Sequence, residues 1–526
     1  MIRTVTDDDG PPSAVAHPET FVDALDLAPP DGEAVVGDEG RLTYGELQDR
    51  STRLAADLVG RGLHRGDRVA ILLPNGVRWV VMALAAHRAG LTVVPLNTWY
   101  RASELEHVLH EADVRLVVTD RTVFGRDTVA ELDAAGFPRR RSEGVLVWAE
   151  EDELPPGGTA YDSSTVAELP RPAPTDVALI LFTSGSTARP KPVPLEHGKL
   201  MANTREIGRR QHVRRDDRLW LGAPMFFGYG CSNALPVALG VGATLCLESR
   251  IDGDRSLAFI ARERCTVYYG FGATTRLLLA APSFGTHDLS SLRTGTTGFS
   301  AEEKRLVIDE LGVDGICSVY GLSEAYGHSA MTDADDDRDV RLHTSGTVLP
   351  TQEIRVCDEE GTALPPGGTG EIELRGCVID SYLDRADLDE GVFRPGGWMR
   401  TGDLGVLDEH GRLSVVGRRK EMLKVKGINI APAEVEDLLH SHPDVAQAYV
   451  VGLPGEAGDE IMVAAVVASR PAPDLPGSLV AWIRERAASY KVPARIELFA
   501  AEEIPLTGTG KVSKQLLRDG LVRRTR

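Results

Sequence analysis

The alternation of apolar and amphipathic stretches limits the N-terminal part of this chain to a small set of folds. Strands are predicted at residues 68–73, 91–96 and 114–119, and helices at 77–89 and after the capping-box pattern Ser103-x-x-Glu106. Strands that alternate with helices in this way are typical of parallel βαβ units. Similar alternation resumes after residue 176 and continues to about residue 320. This part is therefore predicted to be α/β.

The pattern changes in the last third of the chain. Residues 346–416 contain short alternating runs such as "GEIELRG" and "GRLSVVG", separated by turn signals such as "DEEG" and "PPGG". This segment is predicted to be β-rich and barrel-like. A basic stretch, "RRKEMLKVKG", then leads into two further strands and helices. We predict an N-terminal domain over residues 1–417 and a small α+β domain over residues 418–526, in agreement with a length beyond one hydrophobic core.

Composition excludes several classes of function. The net charge of −20 argues against a general nucleic-acid or anionic-membrane binder, because phosphates would be repelled overall. The acidic N-terminus lacks an apolar segment, and the apolar stretches fall short of the ~20 residues that a membrane helix needs. The protein is predicted to be cytoplasmic and to have no membrane insertion. Its six scattered cysteines form no metal-binding pattern and are predicted to be buried free thiols.

A candidate phosphate loop, "FTSGSTARPKPVP" (residues 182–194), follows the apolar run 177–181. It is not a Walker A loop, because Lys191 lies six residues after Gly185 and is followed by Pro192. Four hydroxyl side chains nevertheless surround Gly185, with one lysine and no carboxylate, which are suitable donors for phosphate oxygens. A Ser/Thr-rich surface loop would explain the same residues, so this segment alone does not decide the function.

Five motifs together resemble the adenylate-forming superfamily, which includes acyl- and aryl-CoA synthetases, nonribosomal peptide adenylation domains and beetle luciferases. In chain order they are "FTSGSTARPK", "YGLSE" (320–324), "GWMRTGDLG" (397–405), "GRRKEMLKVKGINIAPAEVE" (417–436) and "PLTGTGK", which ends at Lys511. The resemblance implies a large N-terminal part of two βαβ subdomains plus a β-barrel, and a mobile C-terminal domain. It also implies that the cofactors are ATP, Mg²⁺ and either CoA or the phosphopantetheine of a carrier protein.

The resemblance implies roles for the nucleotide-site residues. Glu324 would bind Mg²⁺, since a carboxylate beside phosphates is otherwise repelled. Ser323, in place of the usual threonine, would direct a hydroxyl toward the α-phosphate. Tyr320 would stack on adenine, and Asp403 would accept hydrogen bonds from both ribose hydroxyls. The phosphate-loop residues implied to hold ATP are Thr183, Ser184, Gly185, Ser186, Thr187 and Lys191.

Four further positions belong to the mobile part. Arg418 would contact the nucleotide, and Lys420 lies at the position of the family's hinge. Lys511, on a glycine-containing loop, would bridge the substrate carboxylate and the α-phosphate as charge develops. Gly427 would let the thiol arm of the acceptor pass close to the backbone.

The substrate class depends on "APMFFGYGCSNALP" (residues 223–236), which corresponds to the acyl-pocket segment. Amino-acid-activating relatives have an aspartate here, whereas this stretch contains no acid, so an α-amino acid would bury an unpaired cation. The "FFGYG" pattern resembles benzoate-CoA-ligase-type enzymes and favours an aromatic or bulky alicyclic acid. The residues predicted to form this pocket are Phe227, Tyr229, Gly230, Phe271, Gly295, Thr297, Gly298 and Phe299.

The resulting hypothesis is an ATP-dependent acid-thiol ligase that forms an acyl-AMP, releases pyrophosphate and transfers the acyl group to CoA. Two alternatives remain from the sequence: an adenylating enzyme that passes the acyl group to a carrier protein or partner enzyme, and a non-catalytic nucleotide- or acyl-binding protein. Ala188 and Pro192 replace the usual glycines and are expected to stiffen the phosphate loop without removing its donors. The sequence leaves the acid and the oligomeric state, monomer or homodimer, open.

Overall fold

The computed structural model describes residues 17–138, 144–148, 169–183, 190–298, 300–425, 428–454, 460–470, 474–487, 491–506 and 512–525. The helices of the N-terminal part are α1 (Phe21–Leu27), α2 (Tyr44–Gly60), α3 (Val77–Arg88), α4 (Ala102–Glu111), α5 (Thr128–Ala134), α6 (His197–Arg210), α7 (Leu235–Val241), α8 (Gly253–Glu263), α9 (Gly272–Leu279), α10 (Ala301–Arg305), α11 (Arg338–His343) and α12 (Ala386–Asp389).

The strands up to residue 348 are β1 (Glu33–Gly37), β2 (Gly40–Thr43), β3 (Arg68–Leu72), β4 (Thr92–Pro95), β5 (Leu116–Thr119), β6 (Thr122–Val123), β7 (Arg126–Asp127), β8 (Gly144–Val147), β9 (Val177–Thr183), β10 (Lys191–Glu196), β11 (Arg218–Gly222), β12 (Thr244–Leu247), β13 (Val267–Gly270), β14 (Thr294–Thr296), β15 (Gly315–Cys317), β16 (Val319–Leu322), β17 (Gly327–Met331) and β18 (Thr347–Val348).

Two mostly parallel sheets form the α/β part, as the alternation predicts. One has the order β15-β14-β13-β11-β12-β1-β2, and the other has the order β10-β9-β4-β3-β5-β8. Only the β1–β2 and β9–β10 pairs within these two sheets are antiparallel. Strands such as β3 and β4 consist of short apolar runs buried on both faces, as parallel strands covered by helices require. Because the carboxyl ends of parallel strands share one edge, the loops that follow them lie together.

One detail of the sequence prediction is wrong. The cap that precedes α4 is formed not by Ser103 and Glu106 but by the positions two residues earlier, Arg101 and Glu104. The Glu104 carboxylate accepts the backbone N–H of Arg101 at 2.9 Å, and Ser103 lies inside the first turn. In a capping box the N-cap side chain accepts a backbone N–H in return, and an arginine side chain has no acceptor atom for that bond. Arg101 therefore gives no capping signal in the sequence, and Ser103 gives a misleading one.

The β-rich segment forms a five-stranded antiparallel sheet. Its strands are β19 (Gln352–Cys357), β20 (Thr369–Gly376), β21 (Phe393–Arg394), β22 (Trp398–Leu407) and β23 (Leu413–Arg418). The order is β19-β20-β22-β21, and β23 also pairs with β22. The path does not close on itself, so the predicted barrel is an open half-barrel.

The C-terminal part has its own elements and its own core. The elements are β24 (Leu423–Val425), β25 (Ile428–Ile430), α13 (Pro432–His440), β26 (Val445–Pro454), β27 (Glu460–Ala468), α14 (Leu475–Arg486), β28 (Arg495–Leu498) and α15 (Lys514–Thr525). Strands β26 and β27 are antiparallel, and β28 joins β27 in parallel. Two hydrophobic clusters consist only of residues from 423 onward, in agreement with a separate α+β unit.

Two further predictions concern the whole chain. All six cysteines are buried free thiols, as their scattered spacing predicts. Among the described residues, no helix combines the length and the apolar character that crossing a bilayer demands.

Candidate active site

The predicted phosphate loop joins the last two strands at one end of the six-stranded sheet. Thr183 ends β9 and pairs with Lys191, which begins the antiparallel edge strand β10. Pro192 belongs to this edge strand, where the missing N–H removes no bond from a central ladder. Residues 184–189, which include the four other loop positions predicted from the sequence, lie outside the described residues.

Lys191 and Glu324 meet at a tyrosine that the sequence analysis did not identify. The Tyr382 hydroxyl donates a hydrogen bond to Glu324 Oε1 at 3.0 Å, and the Lys191 ammonium lies 5.0 Å from the centre of the Tyr382 ring. The backbone N–H of Ile379 also donates to the Glu324 carbonyl oxygen at 2.8 Å. Burial and the neighbouring Glu324 carboxylate raise the pKa of Tyr382, so its hydroxyl stays protonated and acts as a donor.

Tyr382 gives no sequence signal of its own. It lies in an irregular segment between β20 and the short helix α12, and an isolated tyrosine there is indistinguishable from an ordinary core aromatic. The contact with Lys191 arises where the segment that carries Tyr382 packs against β10, and the Leu383 N–H donates there to the Pro192 carbonyl oxygen at 3.2 Å. A cation and a carboxylate held on one aromatic side chain form a suitable frame for a Mg²⁺–phosphate group, whose charges are complementary to both.

Asp403, Tyr320 and Arg418 form one hydrogen-bonded cluster. Asp403 is directly opposite Arg418 in the β22–β23 pairing, and Arg418 Nε lies 2.9 Å from Asp403 Oδ1. The Tyr320 hydroxyl, from β16, donates to Asp403 Oδ2 at 2.9 Å. Burial raises the pKa of Asp403, and the Arg418 guanidinium opposes this rise. The structure therefore brings together three residues from three separate motifs.

Ser323 links the nucleotide motif to the acyl-pocket segment. It begins a short 3₁₀ turn that directly follows β16 and ends at Tyr326, whose φ of 59° is left-handed. The Ser323 hydroxyl lies close to Gly228, since a methyl group built on that glycine would be 3.8 Å from Ser323 Oγ. The residue that resembles an α-phosphate ligand is thus adjacent to the segment that resembles the acid pocket.

The acyl-pocket segment begins after β11 and contains a π-helical turn, Tyr229–Ala234. The Tyr229 hydroxyl donates to the Thr296 carbonyl oxygen at 2.9 Å, and its ring lies 4.6 Å from the Phe271 ring, centre to centre. Thr297 is 2% exposed, and its Oγ1 has no hydrogen-bond partner among the described residues. A buried hydroxyl without a partner costs free energy unless a ligand or water pairs with it.

Three glycines that the sequence assigns to the acid pocket are in close contact with other protein atoms. Gly295 has a φ of 141°, and a side chain there would clash with the Tyr268 carbonyl of the neighbouring strand β13. A side chain at Gly298 would clash with the Glu303 carboxylate. Gly230 packs against the backbone of Met225 and Pro224. Close packing, rather than open pocket volume, explains why glycine occupies these three positions.

Phe227 contacts an aromatic residue from the other sheet. Its ring lies 5.9 Å from the ring of Trp99 and 4.6 Å from that of Phe226. Trp99 follows β4 and is 43% exposed, whereas Phe226 is buried. The sequence gives no signal for Trp99, because its proximity to residues 226 and 227 depends on how the two sheets pack.

Besides the loop positions 184–187, four further predicted site positions have no described side chain. Phe299, Gly427 and Lys511 lie outside the described residues. For the predicted hinge, Lys420, the structure describes only the backbone, which forms a 3₁₀ turn over Arg419–Glu421 directly after β23. The turn stands between the half-barrel sheet and β24, as a hinge would.

Comparison with known proteins agrees with this geometry. A family model described as AMP-binding enzyme matches residues 24–383, and a second, described as AMP-binding enzyme C-terminal domain, matches residues 434–511. The chain belongs to the AMP-binding enzyme family. The two matches cover the α/β sheets, with the candidate phosphate loop, and most of the C-terminal unit.

Three similar proteins show the kind of enzyme. A 3-[(3aS,4S,7aS)-7a-methyl-1,5-dioxo-octahydro-1H-inden-4-yl]propanoyl:CoA ligase of Mycobacterium tuberculosis is 35% identical over 93% of this chain and 96% of its own. A feruloyl-CoA synthase of an Amycolatopsis species is 33% identical over 91% of this chain and 93% of its own. The ATP-bound crystal structure of MatB from Rhodopseudomonas palustris has a TM-score of 0.84 and is 28% identical, over 97% of this chain and all of that chain.

These findings confirm the predicted superfamily and class of enzyme. The protein is an AMP-forming acyl-CoA ligase that acts on a carboxylic acid, and its cofactors are ATP, Mg²⁺ and CoA. The described residues fit these cofactors, because Glu324 offers a carboxylate oxygen to a hard cation and Lys191 offers a positive charge nearby.

Proposed function

We propose that this ligase activates an aromatic or bulky alicyclic acid without an α-amino group and transfers it to CoA. The observation that supports this most directly is the composition of the acyl-pocket segment. Residues 223–236 contain no acidic side chain. The described part of this region includes the Tyr229 and Phe271 rings, in contact with each other, and the buried Thr297, whose hydroxyl has no partner among the described residues. Aromatic rings together with a polar group that can pair with a ligand suit a ring-bearing acid.

The absence of a carboxylate from this segment is the argument against amino acids. A substrate ammonium placed there would be buried without a partner, which costs several kcal/mol even after relaxation. The aromatic rings, in contrast, gain from contact with a flat or bulky apolar substrate. The names of two similar proteins agree with this choice, since one acts on a bicyclic propanoyl acid and the other on ferulic acid.

For the nucleotide half of the reaction we assign one role to each cluster. The Asp403 carboxylate accepts hydrogen bonds from the ribose hydroxyls, with Tyr320 and Arg418 holding it in place. Lys191 and Glu324, joined by Tyr382, face the phosphates, and Glu324 provides the oxygen ligand for Mg²⁺. A bound Mg²⁺ would neutralise charge on the phosphates as pyrophosphate leaves.

For the transfer half of the reaction the C-terminal unit supplies the moving parts. We propose that the unit beginning at residue 418 turns about Lys420, whose position follows β23 directly. Lys511 acts while the adenylate forms, and Gly427 borders the path of the CoA thiol after the turn. Arg419 has carboxylate partners at 3.2 Å, Glu359 and Glu371, which hold the segment before the hinge on the half-barrel.

A matched pair of acids tests the proposal. 3-Phenylpropanoate and phenylalanine share one skeleton and differ by the α-ammonium group. Purified enzyme is incubated with Mg²⁺, ATP, CoA and each acid, and acyl-CoA and AMP are quantified by mass spectrometry. We expect acyl-CoA and AMP in equal amounts from the first acid and a kcat/KM at least about 100-fold lower for the second, from the buried-charge cost. Equal activation of phenylalanine would refute the proposed substrate class.

A further inference from the structure

Trp99 lies where the two parallel sheets meet. It follows β4, whose neighbour in the sheet is β9, the strand that leads into the predicted phosphate loop. Phe226 and Phe227 follow β11, a central strand of the other sheet. All three residues are therefore at the carboxyl ends of parallel strands, where α/β proteins bind their ligands.

The three rings form a continuous aromatic group, which we name the aromatic lip (Trp99, Phe226 and Phe227). The Trp99 ring is edge-on to Phe226 at 5.4 Å and to Phe227 at 5.9 Å, and the two phenylalanines are 4.6 Å apart. Phe226 is buried, but 43% of Trp99 is exposed. The lip thus runs from the acyl-pocket segment to the surface, with the indole as its outer end.

The backbone holds Trp99 in this exposed position. Arg126 donates to the carbonyl oxygens on both sides of it, Thr98 at 2.7 Å and Tyr100 at 2.5 Å. The Asn97 side chain accepts the Trp99 backbone N–H at 2.8 Å. The residues on either side, Thr98 and Tyr100, are buried, so the chain turns outward only at Trp99.

This arrangement argues against an incidental surface tryptophan. A large aromatic side chain that is both half-exposed and held by a fixed backbone loses little conformational entropy on binding a ligand. Its only aromatic neighbours among the described residues belong to the segment that lines the proposed acid pocket. A ring of a bound acid that extends past Phe227 would cover the exposed indole face.

We propose that Trp99 is a specificity-determining residue that binds the ring system of the acid substrate at the mouth of the pocket. This inference rests on the proposed function, because it takes the acid as the occupant. The reacting carboxylate lies elsewhere, toward Ser323 and the phosphate loop, so Trp99 affects which acid binds and not the chemistry at the carboxylate.

The test compares two acids in three variants. The variants are Trp99→Ala, Trp99→Phe and a control, Leu277→Ala, which truncates a side chain of similar exposure (44%) on α9. The kcat/KM of pyrophosphate release is measured for 3-phenylpropanoate and for butanoate, together with the KM values for ATP and CoA. Thermal unfolding of each variant verifies that it is folded.

We expect Trp99→Ala to lower kcat/KM for 3-phenylpropanoate by about 3- to 10-fold, the contribution of one aromatic contact. The value for butanoate and the KM for ATP and CoA should stay within about 2-fold, since neither a short chain nor the cofactors reach the indole. Trp99→Phe should recover part of the loss, and the control should match the wild type.

Three results would overturn the inference. Equal losses for both acids would assign Trp99 a structural role, and a raised KM for CoA alone would make the thiol arm the occupant. Full activity of Trp99→Ala on both acids would leave the aromatic lip without a ligand. A wild-type enzyme that releases no pyrophosphate with either acid would refute the proposed function itself, and the acid as occupant with it.

Discussion

Replacing Asp403 by asparagine tests the role of the buried cluster in nucleotide binding. The side chain is 10% exposed and is held by Tyr320 and Arg418 at 2.9 Å each. Asparagine keeps the size and one acceptor oxygen but replaces the other oxygen by an NH₂ group, which cannot accept. If Asp403 accepts hydrogen bonds from both ribose hydroxyls, the variant loses one of them and the charge that strengthens the other.

The expected magnitude follows from that loss. A hydrogen bond to a charged group contributes about 1.5–3 kcal/mol, so kcat/KM for ATP should fall about 10- to 150-fold. The exposed Glu409, on the turn of the same β22–β23 hairpin, provides the control substitution Glu409→Gln, which should leave kcat/KM unchanged. Thermal unfolding separates a nucleotide-binding defect from a loss of folded protein.

The assay uses ATP and 2′,3′-dideoxy-ATP with both enzymes. In the wild type, removal of the two ribose hydroxyls should lower kcat/KM for pyrophosphate release by at least the factor that the substitution causes. In Asp403→Asn the removal of the hydroxyls should lower kcat/KM by a much smaller factor, because the carboxylate that recognises them is already replaced. If the substitution and the removal of the hydroxyls lower kcat/KM by independent factors, the carboxylate does not contact the ribose and the assignment of Asp403 fails.

Two further predictions concern other parts of the structure. Tyr382→Phe removes the hydrogen bond to Glu324 but keeps the ring beside Lys191, so kcat/KM for ATP should fall about 3- to 10-fold. Tyr382→Leu also removes the ring, so kcat/KM should be lower still. Equal kcat/KM values for the two variants would exclude a contribution from the ring. Burial lowers the pKa of Lys304 to about 8, while an unfolded lysine titrates near 10.4. Between these pKa values the unfolded state binds more protons, so the free energy of unfolding should rise with pH by up to about 1.4 kcal/mol per unit. Lys304→Met should abolish this rise when the free energy is measured by urea unfolding at pH 8–10. Parallel pH profiles of the free energy for the wild type and the variant would contradict the assignment.

The fold was largely predictable because its signals are local. The alternation of apolar strands and helices marks the parallel sheets, and α3 ends within one residue of its predicted boundary. The short alternating runs mark the half-barrel. Closure of that sheet was not predictable, since it depends on the pairing of distant strands. The predicted position of the α4 capping box is wrong because the N-cap residue, Arg101, carries no capping signal, whereas a serine inside the first turn does.

The site was predictable only where residues belong to motifs. Asp403, Tyr320 and Arg418 come from separate motifs and are in contact in the structure, while their roles toward the nucleotide stay predictions. Tyr382 and Trp99 belong to no motif, and their neighbours lie far away in the sequence, so only the packed structure reveals them. The sequence assigns Gly295 and Gly298 to the acid pocket, and only the packed structure reveals that a side chain at either position would clash with neighbouring protein atoms.

The central claim is that this protein activates its acid as an adenylate before the thiol is involved. Exchange of labelled pyrophosphate into ATP measures that step alone, with 3-phenylpropanoate and Mg²⁺ present and CoA absent. The account predicts rapid exchange that requires the acid and that falls by at least about 10-fold in Asp403→Asn. Formation of acyl-CoA without any exchange in the absence of CoA, or with ADP and phosphate as products, would contradict it.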